Sequence, residues 1–272
     1  MAEIGIEGRR VCYVECGSGA PVVLLHAGGS SGKQWAKTAR LLEPRFRVIA
    51  PDLWGFGGTE SWSGTEELTH DHQAALVAGV VRQLCREPVH LVGHSYGGAT
   101  AIRVMLQAAD LVRTAVLIEP IVPSLLKLAG EGQLFREYFE MAQAFLRNVA
   151  AGDLDAAWRG FLDYRNGPGT WEGLPEASRA RFRAVTGSTA AGFHSNLGNP
   201  TSLEDLEQRS VPTLVMCGEK TTVPDRRVTE ILRDHIPGCR YAIIPGAEHM
   251  SPLSHPEFIA EAIERHVSLT SA

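Results

Sequence analysis

The segment Gly93-His94-Ser95-Tyr96-Gly97 holds a serine placed to act as a nucleophile. A short apolar run, Val89 to Val92, leads into it, and the helical pattern of Ala99, Ala101, Ile102, Met105 and Leu106 leads out. No loop separates the two, so Ser95 sits in the turn itself, at the carboxyl end of a strand. Such a turn strains the serine backbone, which Gly93 and Gly97 permit because neither has a side chain to clash. The same spacing recurs at Gly28-Gly29-Ser30-Ser31-Gly32. There Ser30 is separated from the preceding apolar run by Ala27, Gly28 and Gly29, and from the next helix by Gly32 and Lys33. That is an open loop, not a tight turn.

An attacking serine needs a neutral imidazole to take its proton and a carboxylate to orient that imidazole. Ten histidines are available. His249 follows the last expected strand in Pro245-Gly246-Ala247-Glu248-His249, and the chain order serine, acid, histidine favours a late position. His235, His255 and His266 fall on expected helices and read as surface or packing residues, His94 adjoins Ser95 and faces away across the turn, and His70 and His72 read as a solvated helix end. Three carboxylates compete for the acid: Glu119, Glu219 and Asp225. Glu219 falls one side chain out of phase, and Asp225 reads as a helix N-cap. Glu119 directly follows a buried strand, where a charge is costly unless paired. An imidazole that becomes cationic during reaction is such a partner, so Glu119 is favoured over Glu219 and Asp225, with a strand-end residue paired to an arginine as its alternative reading. The oxyanion requires backbone N–H donors: Tyr96, directly after the nucleophile, and Gly28 in the early loop, with Ala27 as the alternative.

The elements that position these residues alternate. Strands are expected over residues 9–16, 22–25, 46–50, 89–92, 114–118, 211–218 and 239–244, and helices over 34–42, 68–85, 226–235 and 255–267. This is the α/β class, with a mainly parallel sheet, helices on both faces and ligands beyond the carboxyl ends of the strands. The alternation stops from about residue 121 to 209, where the spacing is helical over 134–149, 154–164 and 175–186. The expected division is therefore a core of residues 1–120 and 210–272 with a helical cap at 121–209.

Composition sets further bounds. The chain has 272 residues and a net charge of -5, which argues against nonspecific binding to nucleic acid or anionic membranes. No signal-peptide core opens the chain and no apolar run reaches membrane-spanning length. Five scattered cysteines without CxxC spacing read as reduced thiols, most of them buried, in a cytoplasmic protein with no metal site. Ala27 to Gln34 nearly forms a phosphate-binding loop, but Ala27 stands where glycine is required and Gln34 where a hydroxyl should meet magnesium. No cofactor is expected, and the partner is a small-molecule substrate.

Taken together, the chain resembles the α/β-hydrolase superfamily. The resemblance rests on Leu24 to Gly28, Ala50 to Gly57, Gly93 to Gly98, Gly218 to Lys220 and Gly246 to His249, and covers almost the whole length. It implies an eight-stranded, mostly parallel sheet, a helical cap after the strand ending at Glu119, and a serine–histidine–acid site between core and cap. There are two departures. Ala27 replaces the usual glycine after His26, and Thr221 stands where the usual aspartate would be. Some members place the acid one strand earlier, which Glu119 matches. Haloalkane dehalogenases do so with an aspartate nucleophile, a chemistry Ser95 argues against. The expected function is hydrolysis of a small or medium ester, lactone or related carbonyl compound through an acyl-enzyme on Ser95. Carbon–carbon bond hydrolysis, perhydrolysis, cofactor-free oxygen chemistry and a non-catalytic receptor are the alternatives.

Overall fold

Central strands that are apolar at every position bury both faces, so helices must cover both. The computed structural model describes residues 1–208 and 211–270. Its sheet contains β1 (Ala2–Ile6), β2 (Arg9–Cys16), β3 (Ala20–Leu25), β4 (Phe46–Pro51), β5 (Val89–His94), β6 (Val112–Ile118), β7 (Thr213–Gly218) and β8 (Arg240–Ile244). The spatial order is β1-β2-β4-β3-β5-β6-β7-β8. β2 pairs antiparallel with β1 and β4, and all other pairings are parallel. β1 has no counterpart among the expected strands, because only Ile6 of its residues is buried and the apolar signal is weak.

One face of the sheet is covered by α1 (Ala36–Leu42) and α12 (Pro256–Thr270). There Leu42, Ile259 and Ile263 join the core of Val22, Leu24, Val92 and Val116. On the other face α2 (His70–Leu84), α3 (Tyr96–Gln107) and α10 (Val223–His235) contribute Val77, Ile102 and Ile231 to the core of Val23, Leu25, Leu91 and Leu117. The helix expected over 34–42 opens as a 3-10 turn, Gly32–Trp35, before α1. A short helix, α11 (Ser251–Ser254), precedes α12. Cys12 and Cys217 are buried, whereas Cys16, Cys85 and Cys239 are partly exposed, so fewer thiols are buried than expected.

Between β6 and β7 lie α4 (Ser124–Leu128), α5 (Gly132–Ala150), α6 (Leu154–Asn166), α7 (Glu176–Ala184), α8 (Thr186–Leu197) and α9 (Leu203–Glu207). α5, α6 and α8 share an apolar cluster that includes Tyr138, Phe145, Trp158 and Phe193, joined by Trp171 from the turn after α6, whereas Leu125 and Leu126 of α4 and Leu206 of α9 pack into the core with Leu91 and Leu117. The junction expected at residues 209 and 210 lies outside the described residues. A helix was not expected through α8, whose Gly, Ser and Thr content gives low propensity. Burial of Phe193 overrides that propensity. Two hydroxyls of α8 also tie it to the core: Ser188 Oγ donates to the Gly55 carbonyl at 2.6 Å and Ser195 Oγ to that of Leu68 at 2.5 Å.

From β3 the chain steps to β4 on one side and later returns to β5 on the other. This reversal opens a crevice at the carboxyl ends of β3 and β5, where open α/β sheets bind ligands. Gly28 follows β3, Ser95 follows β5, Glu119 follows β6 and His249 follows β8.

Candidate active site

Ser95 links β5 directly to α3 with φ 56° and ψ -118°, a conformation L side chains rarely adopt. Its N–H donates to the Ile118 carbonyl at 3.0 Å, and its own carbonyl accepts from Ala99 and Ile121. Neighbouring strands and helix thus fix the strained residue on several sides. The glycines serve close approach: neither Gly93 nor Gly97 has a positive φ. A β-carbon on Gly93 would press into the Gly97 carbonyl, one on Gly97 into the Leu25 and His26 carbonyls, and one on Gly98 into Pro120.

His249 Nε2 lies 3.0 Å from Ser95 Oγ, and His249 Nδ1 lies 2.6 Å from Glu119 Oε2. All three residues are buried. Glu119 has φ 42°, so its backbone is strained like that of Ser95. Its Oε1 accepts the Gly218 N–H at 2.6 Å, and its Oε2 accepts the Thr221 hydroxyl at 2.8 Å. Thr221, at the position where the resemblance places an aspartate, thus donates to the Glu119 carboxylate from the neighbouring strand end. Sequence reading considered Thr221 only as unable to supply a carboxylate and missed its donor role. The signal available was a hydroxyl three residues after the strand-ending Gly218.

Burial drives Glu119 upward and His249 well below the ordinary imidazole range, both toward their neutral forms, and the nearby Arg165 cation lowers His249 further. The donors from Gly218 and Thr221 favour the charged form of Glu119. The two donors on Glu119 suit a carboxylate, and a neutral His249 with Nδ1–H donating to Glu119 leaves Nε2 free to accept from Ser95.

The other candidates fall elsewhere or take different roles. Glu219 is exposed and accepts the Gly246 N–H at 2.7 Å. The expectation that Asp225 caps α10 is corrected: Thr222 is the N-cap, and the Asp225 carboxylate is buried against Arg165 and 3.8 Å from His249 Nδ1. His70 is not solvated. It is buried between Thr100 and Asn196, and burial pushes it down to about 4. His94 sends Nε2–H to the His249 carbonyl at 2.8 Å, and its Nδ1 accepts from Gln34 at 3.1 Å. The same Gln34 side chain accepts the Ala27 N–H at 3.1 Å. The Ala27 donor is thus engaged, while Gly28 lies beside the elbow, where a β-carbon would come within 3.6 Å of Tyr96 Cβ. The residue that spoils a phosphate-loop reading, Gln34, instead braces the loop that carries Gly28.

Gly28, Ser95, Tyr96, Tyr138, Phe161 and Arg165 are among the residues lining a cavity of about 30 Å³ between the sheet and α5, α6 and α8. Of the aromatic residues between β6 and β7, Phe145, Trp158 and Trp171 do not line this cavity and pack in the apolar cluster behind Tyr138 and Phe193. Two larger grooves, of about 510 and 580 Å³, lie at β8 with α12 and beside residues 54–68, and neither contains Ser95, His249 or Glu119. Among the described residues, Glu119, Asp225 and His249 form one group close enough to hold a metal ion. Its carboxylates are already engaged by Gly218, Thr221, His249 and Arg165.

The sequence model of the alpha/beta hydrolase family matches residues 22–262. The chain belongs to this family. It is 25% identical to the soluble epoxide hydrolase of Corynebacterium sp. (strain C12), over 94% of this chain and 93% of that one. It is 28% identical to the non-heme haloperoxidase of Rhodococcus erythropolis, over 89% and 90%. The solved structure of MGS-M2, an alpha/beta hydrolase enzyme from a Medee basin deep-sea metagenome library, superposes with a TM-score of 0.85 at 16% identity, covering 98% of this chain and 97% of that one. This alpha/beta hydrolase is therefore an enzyme with the eight-stranded fold expected from its motifs. Among its described residues no helix is long and apolar enough to cross a membrane.

Proposed function

We propose that this hydrolase cleaves small esters, lactones or related carbonyl compounds through an acyl-enzyme on Ser95. The observation that carries this reading is the unbroken chain from Ser95 Oγ through His249 to Glu119, at 3.0 and 2.6 Å. Ser95 attacks the carbonyl carbon as His249 Nε2 takes its proton, and Glu119 stabilises the resulting imidazolium. The N–H groups of Gly28 and Tyr96 stabilise the oxyanion. His249 returns the proton to the leaving group. Water, activated by the same imidazole, then attacks the acyl-enzyme, and the acid leaves with Ser95 restored.

The helices between β6 and β7 act as a cap over the acyl pocket. A cavity of about 30 Å³ supports a short acyl group, since one water requires roughly 10–15 Å³ by the same measure. Tyr138, Phe161 and Phe193 supply its apolar wall. A panel of p-nitrophenyl esters of graded chain length, with lactones, diketones and an epoxide, tests the reading. Acetate and propionate esters should be turned over fastest, and Ser95→Ala should abolish turnover. Since one relative is named a haloperoxidase, peracid formation from acetate and peroxide belongs in the same panel. Ester turnover undiminished in Ser95→Ala would overturn the assignment.

A further inference from the structure

Two buried carboxylates face one imidazole. His249 Nδ1 lies 2.6 Å from Glu119 Oε2 and 3.8 Å from Asp225 Oδ2. The acyl-transfer scheme uses only the first. The second is bound by Arg165 of α6, itself buried and flanked by the rings of Tyr138, Phe161 and Tyr164 at 5.7–5.9 Å from its guanidinium carbon. The charged and titratable groups around the imidazole are Glu119 from the end of β6, Asp225 from α10, Arg165 from α6 and His94 from the end of β5, whose ring lies 5.1 Å away. His94 is neutral, pushed down to about 3 by burial and by His249. The balance at the imidazole is thus set by two anions and one cation.

We propose that Arg165 is a positioning residue for the reaction: by cancelling the Asp225 charge, it keeps the His249 imidazole unprotonated and ready to take the Ser95 proton. This rests on the reading of Ser95, His249 and Glu119 given above. Without Arg165 the imidazole would face two anions and would hold a proton at rest, and an imidazolium cannot act as a base. Glu119 alone gives the assistance needed when the cation forms in the transition state. The direction of the Arg165 effect on His249, downward, agrees with this role. Packing could be served by an apolar pair of similar volume, since a buried ion pair is weak evidence for stability. A charge-balancing role requires opposite charges at these two positions.

The test is the rate of Ser95 labelling by a fluorophosphonate as a function of pH, which requires no knowledge of the substrate. Arg165→Gln should move the midpoint of the acid limb up by about one to three pH units, because an uncancelled anion stabilises the imidazolium. Asp225→Asn should move it down, because an uncancelled cation opposes the proton. The Arg165→Gln/Asp225→Asn double variant should return it toward wild type. Opposite shifts that cancel are not produced by loss of packing. If Arg165→Gln alone does not fold, the double variant is compared with Asp225→Asn: a higher midpoint in the double variant supports the charge effect of Arg165, and an equal one overturns it. Wild-type protein that labels normally, with single-variant midpoints unchanged, overturns the role of Arg165. Wild-type protein that does not label at all overturns the Ser95 reading itself, and this inference with it.

Discussion

Glu119 holds its place through donors as much as through His249. Its carboxylate receives a backbone N–H from Gly218 and a hydroxyl from Thr221, each of which favours the ionised form. Thr221→Val removes one hydrogen bond to a charged, buried group, a contribution of about 1.5–3 kcal/mol. The expected result is a kcat/KM about ten- to a hundredfold lower with an unchanged fold, checked by ester kinetics and circular dichroism. Glu119→Gln should fall further, on the order of 10³–10⁴-fold, because the amide neither stabilises the imidazolium nor fixes its tautomer. Near-normal turnover in Glu119→Gln, alongside an inactive Asp225→Asn, would transfer the acid role to Asp225. The downward direction for His249 also sets a pH dependence. As the proposed base, His249 is competent when neutral, so kcat/KM should persist below pH 6.5 and be lost as pH falls through the lowered value. An acid limb at or above pH 6.5 would contradict this.

The strand–turn–helix at Ser95 depends on three backbones meeting without side chains between them. Gly97→Ala places a methyl group against the Leu25 and His26 carbonyls, which belong to β3 and its loop and cannot move independently. A loss of about 3 kcal/mol or more is expected, as for overpacking of a well-filled core, and it should be read as a lower thermal midpoint. Gly160, in the exposed interior of α6, has nothing within 4 Å of its β-carbon position. Gly160→Ala should therefore stabilise by about 0.5–1 kcal/mol through helix propensity. Equal responses at the two glycines would refute the distinction between a crowded and a merely flexible position.

At the scale of the whole molecule, several buried histidines couple stability to pH. Burial lowers His70 to about 4 and His94 to about 3, while the unfolded chain keeps values near 6.5. A lowered folded value means that the unfolded state binds more protons in the interval between the two. The associated stability is fully present above pH 6.5 and is lost as pH falls toward about 4 and then 3. For His70 alone this amounts to roughly 3 kcal/mol. Denaturant midpoints should fall between pH 7 and pH 4.5, and less steeply in His70→Gln. A flat profile in the wild-type protein over that range would refute the coupling.

The residues alone were enough to place Ser95 at a strand–helix turn, to set Ser30 aside, to expect seven of the eight strands and to single out His249, which the fold brings to 3.0 Å from Ser95 Oγ; the eighth strand was implied only by the family resemblance. These are local properties: apolar runs, glycine spacing and turn residues act between near neighbours in the chain. The same patterns misjudged α8, where core burial outweighs poor helix propensity, and Asp225, whose side chain turns inward although its position suits a helix end. Only tertiary structure brought Thr221 to Glu119 across 102 positions, Gln34 to His94 across 60, and Arg165 to Asp225 beside the imidazole. Those contacts depend on which way each buried side chain points, and that direction is set by the packing of the sheet against the inserted helices, which spacing along the chain does not encode.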